Sequence, residues 1–126
     1  MNVKKALILA LLTALICWLV LFDFIIAQGH SMEPAIKNGD ILIISRCWYG
    51  IRLPWQQKYL IRRAQPKVGE IVVFYTPAEE IAVKRCAALT EGYRFYAEGD
   101  HSLASFDSRS YGAVPVDNII GKVLIK

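Results

Sequence analysis

The chain has 126 residues, 55% of them apolar, with 15 Lys and Arg against 11 Asp and Glu. That length holds one domain rather than two, and the apolar content excludes an intrinsically disordered chain. The formal charge of +4 is spread along the sequence rather than gathered in a stripe, which argues against a nucleic-acid partner.

A mean hydropathy of +0.34 has its source at the front of the chain. Ala6 to Phe22 carries no charge, and the apolar run continues past Asp23 to Ala27. As a helix that run reaches about 33 Å, enough to cross a bilayer core of roughly 30 Å. Lys4 and Lys5 precede it, so the positive-inside rule puts the N-terminus in the cytoplasm and the remainder on the outer face. A cleavable signal peptide shares the charged start and apolar centre. The charge-free stretch, however, exceeds the usual signal-peptide core of about 7–15 residues, which favours an uncleaved anchor. Residues 1–27 are therefore expected to form a cytoplasmic tip and a single transmembrane helix in the inner membrane. Residues 28–126 are expected to form the extracytoplasmic domain. Asp23 falls near the outer end, where a carboxylate reaches the headgroups.

Beyond Ala27 the sequence reads as short strands broken by turn residues. Asp40 to Ser45 is a β-branched run opened by Asn38-Gly39-Asp40, and Glu70 to Tyr75 is a second, opened by Gly69 and closed before Pro77. Ile81 to Ala87 and Tyr93 to Glu98 flank a Thr90-Glu91-Gly92 turn and suggest a hairpin. Ile119 to Ile125 supplies the last strand. No segment after residue 27 keeps helical apolar spacing, so the expected fold is mostly β, an antiparallel sheet or partly open barrel, behind one N-terminal transmembrane helix.

Trp48 to Arg63 resists that scheme, with two Trp, two Tyr, a Pro and four positive charges. It reads either as a long loop covering the core or as a rim facing membrane lipid, where aromatic and basic residues together favour the headgroup layer. Cys17 lies in the predicted span, and Cys47 and Cys86 would face an oxidising compartment where they could pair. There is no CxxC, HExxH or His-rich tract, hence no metal signal, and no cofactor is implied.

Ser31 follows the membrane run by a few residues and precedes the Asn38-Gly39-Asp40 turn. Alone it is a local hydrogen-bonding residue, and a nucleophile only if a base stands beside it. His30 is adjacent in sequence but points the other way in an extended chain, and His101 sits in a Gly99-Asp100 turn. Lys84 is the better candidate. In Ile81-Ala82-Val83-Lys84-Arg85-Cys86, alternation puts Lys84 on the face of Ala82 and Cys86, among small uncharged neighbours. Burial there disfavours the ammonium and makes the amine a workable base, whereas a side chain that snorkels to water would not be one. From the strand alone both readings stand. The segment Gly99 to Gly112 gathers two acids, an Arg and four Ser, with Asp107 and Arg109 spaced to share one side of an extended chain and hold a neighbouring loop rigid.

Taken together these segments resemble the type I signal peptidases, membrane-anchored Ser/Lys proteases. Gly29-His30-Ser31-Met32-Glu33-Pro34 with Asn38-Gly39-Asp40 is similar to the segment carrying the family's nucleophile. Lys67 to Phe74 resembles its Gly-Asp-Ile-Val-Val-Phe strand, Val83-Lys84-Arg85 its lysine strand, and Gly99-Asp100 with Ser105 to Arg109 its last motif. The resemblance implies that Ser31 attacks the scissile carbonyl while neutral Lys84 takes its proton. It further implies that Ser105 orients the lysine ammonium and that Asp107 and Arg109 brace the site. The substrates would be secretory preproteins, cut after Ala-x-Ala-like sites. Met32, Ile36, Val73 and Ile81 are the candidate pocket residues.

The sequence departs from the family's pattern in four places. Gly29 stands where some members carry an oxyanion-hole Ser, leaving the Ser31 N–H to hold the oxyanion. His101 replaces the Asn of Gly-Asp-Asn, and Ala87 to Thr90 replaces a Gly/Pro-rich stretch. Only 14 residues separate Lys84 from Gly99, where larger members insert a domain. Two other readings remain, a processing peptidase dedicated to one secretion or conjugation system and a catalytically degenerate membrane-anchored adaptor.

Overall fold

The computed structural model describes every residue except Pro54, Gln57 and Lys126. Helix α1 spans Val3–Leu21, its first turn capped by the Asn2 side chain, which accepts from the Lys5 N–H at 2.9 Å. None of its residues is buried, and its mean hydropathy of 2.2 makes it long and apolar enough to cross a membrane.

The helix stops earlier than the apolar run does. Phe22–Ile26 forms strand β1, and its residues pair in antiparallel register with β2, Ile41–Ser45, from Phe22 opposite Ser45 to Ile26 opposite Ile41. Hydropathy alone cannot separate these five residues from the helix before them, because Phe and Ile suit either setting. Pairing with a β-branched partner strand decides it. The expected anchor to Ala27 is corrected accordingly: residues 22–26 belong to the sheet. Asp23 forms an ion pair with Arg46, just past the end of β2, and the Arg46 N–H donates to Leu21 O at 2.8 Å.

The remaining strands are β3 (Gly50–Ile51), β4 (Ile61–Arg62), β5 (Ile71–Tyr75), β6 (Ile81–Thr90), β7 (Arg94–Glu98), β8 (Val114–Pro115) and β9 (Ile119–Ile125), with a four-residue helix α2 at Ser108–Tyr111. Among the described residues, seven of the nine strands form one antiparallel sheet in the order β1-β2-β9-β5-β6-β7-β8, curled into a half-barrel. The mostly β fold behind one apolar N-terminal helix is as the sequence implied. β5 sits at the middle of the sheet, and Val72, Val73 and Phe74 are all wholly buried. A strand covered on both faces reads as a continuous apolar run, which is what this segment shows. On one side Val72 and Phe74 join Cys86, Phe95, Ala97, Val114 and Ile119, with Phe74 and Phe95 edge to face at 5.5 Å. On the other, Val73 packs with Ile44 and Ile120.

Trp48 to Arg63, read from sequence either as a loop over the core or as a lipid-facing rim, contains the small β3–β4 ribbon, though Pro54 and Gln57 lie outside the described residues. Tyr49 is buried in the core, and the Tyr59 hydroxyl donates to Ile119 O at 2.8 Å. The cysteines are free. Cys86 is buried among the side chains facing Val72, while Cys47 lies against Ser45, so the pairing considered from sequence does not form. Burial pushes the Cys86 thiol up to about 11, with the Glu70 charge adding to it.

Gly121 lies opposite Val73, with β2 paired along the other side of β9, and a Cβ there would stand 2.4 Å from Ile44 Cγ2 and 2.5 Å from Ser45 O. Gly121→Ala is expected to cost about 2 kcal/mol by overpacking, read as a lowered midpoint of thermal or denaturant unfolding.

Candidate active site

The Ser31 turn hangs from the end of β1. It is clipped at its base by backbone hydrogen bonds, Ala27 N–H to Asp40 O and Gly39 N–H to Ala27 O, both 2.8 Å, and by Gly29 N–H to the Asn38 side-chain oxygen at 3.0 Å. Met32 and Ile36 turn inward and pack with Ala27 and Leu42, so the loop is held by apolar burial on one side. Gly29 has φ +85°, a conformation that favours glycine over any residue with a Cβ. Ser31 is thereby presented towards β6.

Lys84 meets it there. Its position opposite Val72 on β5 puts its side chain on the face of Ala82 and Cys86, as alternation predicts, and the residue is only 7% exposed. Lys84 Nζ donates to Ser31 Oγ at 2.6 Å. Burial lowers the lysine pKa, a nearby Asp107 charge works against that, and Arg109 works with it. Arg85, one residue on, faces the other way and forms a bidentate pair with Asp100 at 2.8 and 2.7 Å.

A third segment closes the site. Asp107, wholly buried, caps α2 by accepting from the Arg109 N–H at 3.1 Å. It also accepts from Arg109 Nε at 3.0 Å, from Ser105 Oγ at 2.5 Å and from the Gly99 N–H at 2.8 Å. Burial alone would raise this carboxyl. The donors from Arg109, Ser105 and the two backbone N–H groups outweigh it and hold the group well below the usual carboxylate range. Asp107 and Arg109 thus act together through a helix cap and not, as the spacing suggested, through an extended chain. They do brace a neighbour: Arg109 Nη2 donates to Gly99 O at 3.1 Å, and the His101 N–H donates to Ser31 O at 2.9 Å, joining this segment to the serine turn.

Gly99, noted from sequence only as part of a motif, has a specific steric role. A Cβ on it would stand 2.2 Å from Ser105 Oγ and 2.6 Å from Ser31 O, so only glycine lets the two serine segments approach. Ser105 Oγ bonds Asp107 and, among the described residues, forms no hydrogen bond to Lys84. His30 pairs with Glu33 at 2.6 Å, and His101 Nδ1 lies 3.3 Å from His30 O. Among the described residues neither histidine bonds Ser31 Oγ, and no group of side chains could hold a metal ion.

Ser31 and Lys84 open onto a cleft of about 680 Å³ between the end of β1 and the start of β6. Of the expected pocket residues Met32, Ile36 and Ile81 line it; Val73 does not, because it is enclosed between Ile44 and Ile120. Phe106, Tyr111, Gln28 and Glu80 line it as well, and none was singled out by sequence. Phe106 and Tyr111 stand edge to face at 5.4 Å. β7 pairs with β6 only from Arg85 onward, which leaves one edge of residues 81–84 unpaired beside this cleft.

Residues 1–92 match the family model described as signal peptidase, peptidase S26. The chain is 31% identical over 116 residues to mitochondrial inner membrane protease subunit 1 of Xenopus tropicalis, covering 82% of this chain and 68% of that relative. It is 30% identical over 95 residues to signal peptidase I of Pseudomonas aeruginosa, covering 65% of this chain and 34% of the relative. It is 34% identical over 65 residues to signal peptidase I of Pseudomonas fluorescens, covering 48% and 23%. The chain thus spans about a third or less of these two bacterial relatives.

Because Asp107 has a depressed folded pKa, its contribution to stability is full above the ordinary carboxylate range and is lost as pH falls through the folded value. Asp107→Ala is expected to lose about 2 kcal/mol at pH 7, a figure kept low because Arg109 is partly solvated. Melting curves of the two proteins should converge as pH drops below about 4.

Proposed function

The chain belongs to the signal peptidase S26 family, and we propose that it is a membrane-bound serine endopeptidase removing signal peptides from secreted preproteins by a Ser31/Lys84 dyad. The observation that carries this reading is the 2.6 Å contact between Lys84 Nζ and Ser31 Oγ on a buried strand face. An amine kept from water loses its ammonium more readily, and a neutral amine at that distance can take the hydroxyl proton.

The reaction follows from those two atoms. Neutral Lys84 takes the Ser31 proton as Oγ bonds the scissile carbonyl carbon, and the carbonyl electrons move onto oxygen. The Ser31 N–H, which has no acceptor among the described residues, is available to that oxyanion. Collapse breaks the C–N bond, and the Lys84 ammonium returns its proton to the departing amine. A water, deprotonated by Lys84, then attacks the ester, releasing the carboxylate product and restoring Ser31. Ser105 has its proton committed to Asp107, so its lone pairs remain for the ammonium formed in each half-reaction. Asp107 and Arg109 position these groups without touching substrate.

An extended substrate can add to the unpaired edge of residues 81–84, with alternate side chains directed into the cleft beside it. Small residues one and three places before the cut, as in Ala-x-Ala sites, suit that arrangement. In this reading α1 is the anchor with Lys4 and Lys5 at its cytoplasmic end, and the sheet lies on the outer face of the inner membrane. Membrane lipid is a partner beyond the helix. Trp48 and Trp55 are exposed, and the Lys122 ammonium sits 4.0 Å over the Trp48 ring, the pairing expected of a headgroup-facing rim.

A narrower reading, a peptidase dedicated to one set of precursors, is favoured by the match to a mitochondrial inner membrane protease subunit along most of both chains. Complementation of a strain depleted of its general signal peptidase separates the two: rescue supports the general enzyme and failure the dedicated one.

Ser31→Ala and Lys84→Ala are each expected to reduce cleavage of an Ala-x-Ala precursor by at least about 1,000-fold without changing the melting temperature by more than a few degrees. Near-normal turnover by either variant would sink the dyad. For the wild type, kcat/KM should rise with pH through a lysine pKa lying below that of a solvated lysine, because the ammonium form cannot accept the serine proton. Lys84→Arg, which stays charged, should be inactive across the same range.

A further inference from the structure

The cleft holds a second charge that the reaction leaves unused. Glu80 lines it at the turn feeding β6, four residues before Lys84. Alternation puts Glu80, Ala82 and Lys84 on one side of the strand, and four extended residues span about 13 Å. The site of this carboxylate is set by backbone. The Glu80 N–H donates to Thr76 Oγ1 at 3.2 Å, and Glu80 O accepts from the Thr76 N–H at 2.8 Å. Among the described residues no cation pairs with it. Between Glu80 and Lys84 the wall is apolar, Ile81, Ala82 and Val83, and Ile25, Ile26 and Ala27 line the same cleft from the β1 side.

We propose that Glu80 is a specificity-determining residue that selects a basic side chain at the fifth residue before the scissile bond. This rests on the peptidase reading above and deepens it. A substrate strand laid along the unpaired edge advances residue for residue with β6. With the attacked residue level with Lys84, the third before the cut is level with Ala82 and the fifth with Glu80. These odd positions share a face. A Lys or Arg in the fifth place can rest its aliphatic stem on the apolar wall and bring its charge to the free carboxylate. The pair forms at the solvated mouth of the cleft, so its effect is modest, about fivefold. It is made equally in the bound substrate and in the transition state, and therefore belongs to KM rather than kcat.

The test uses the full chain in detergent with three precursors that differ only in the fifth residue before the cut: Lys, Gln or Glu. The expected result is a KM about fivefold lower for Lys than for Glu, shrinking in 0.5 M salt because the pair is solvated. Glu80→Lys should reverse the order and Glu80→Gln should level it. Thermal melting in the same detergent reports the folding of both variants, and the salt dependence of the wild type tests the idea independently of either. A Lys-to-Glu ratio that ignores salt, or a wild-type order retained by Glu80→Lys, overturns the role of Glu80 while leaving the dyad intact. Failure of the wild type to cleave any of the three overturns the peptidase reading and this inference with it.

Discussion

One amine held out of water against one hydroxyl is the constraint to which the rest of this structure answers. A lysine at 7% exposure is costly to keep charged, because burial penalises the ammonium more than the neutral amine. Two elements impose this. β5 pairs across Lys84 at Val72, fixing the strand face, and the Ser31 turn closes from the other side, seated by Met32 and Ile36. Apolar packing therefore sets the distance between two polar atoms, which is a firmer arrangement than long polar side chains alone can give.

The carboxylate nearest this pair is managed differently. An unpaired Asp107 would stabilise the Lys84 ammonium and work against a neutral amine. Instead its oxygens are occupied by Arg109, Ser105 and the Gly99 N–H, so it is turned into a structural hub. The Arg109 charge, which lowers the lysine pKa, offsets what remains of the Asp107 field. The same hub holds Gly99, and Gly99 permits the contact between the Ser105 and Ser31 segments. Bracing and electrostatics are thus two consequences of one set of hydrogen bonds.

Much of this was legible in the sequence, and the failures have physical reasons. The β-branched run to Tyr75 announces a strand, and the two-residue period puts Lys84 on the face of Ala82 and Cys86, though whether its head stays there or escapes to water is settled only by the fold. Hydropathy could not end the helix at Leu21, since Phe22–Ile26 is as apolar as the helix and only its pairing with β2 makes it a strand. Val73 looked like a pocket residue because the strand alone does not say which of two apolar faces meets a cleft. The partnership of Asp107 with Arg109 was visible as a spacing, but the cap that realises it depends on the chain turning into α2. Glu80 carries no local signal, and Gly99 showed only as a motif glycine; their roles arise from what the fold brings beside them.

An unpaired strand edge next to an apolar cleft is a hazard as well as a binding surface, because any extended chain could pair there. The β6 edge is short, ending where β7 joins at Arg85. It is bounded by the inward polar amine of Lys84 at one end and the carboxylate of Glu80 at the other. Short edges and charges placed along them are the means by which sheets avoid indiscriminate pairing. A visiting strand gains backbone hydrogen bonds only over those few residues and must present side chains that the charges and the cleft accept. The geometry that exposes a strand for recognition also limits what can be recognised.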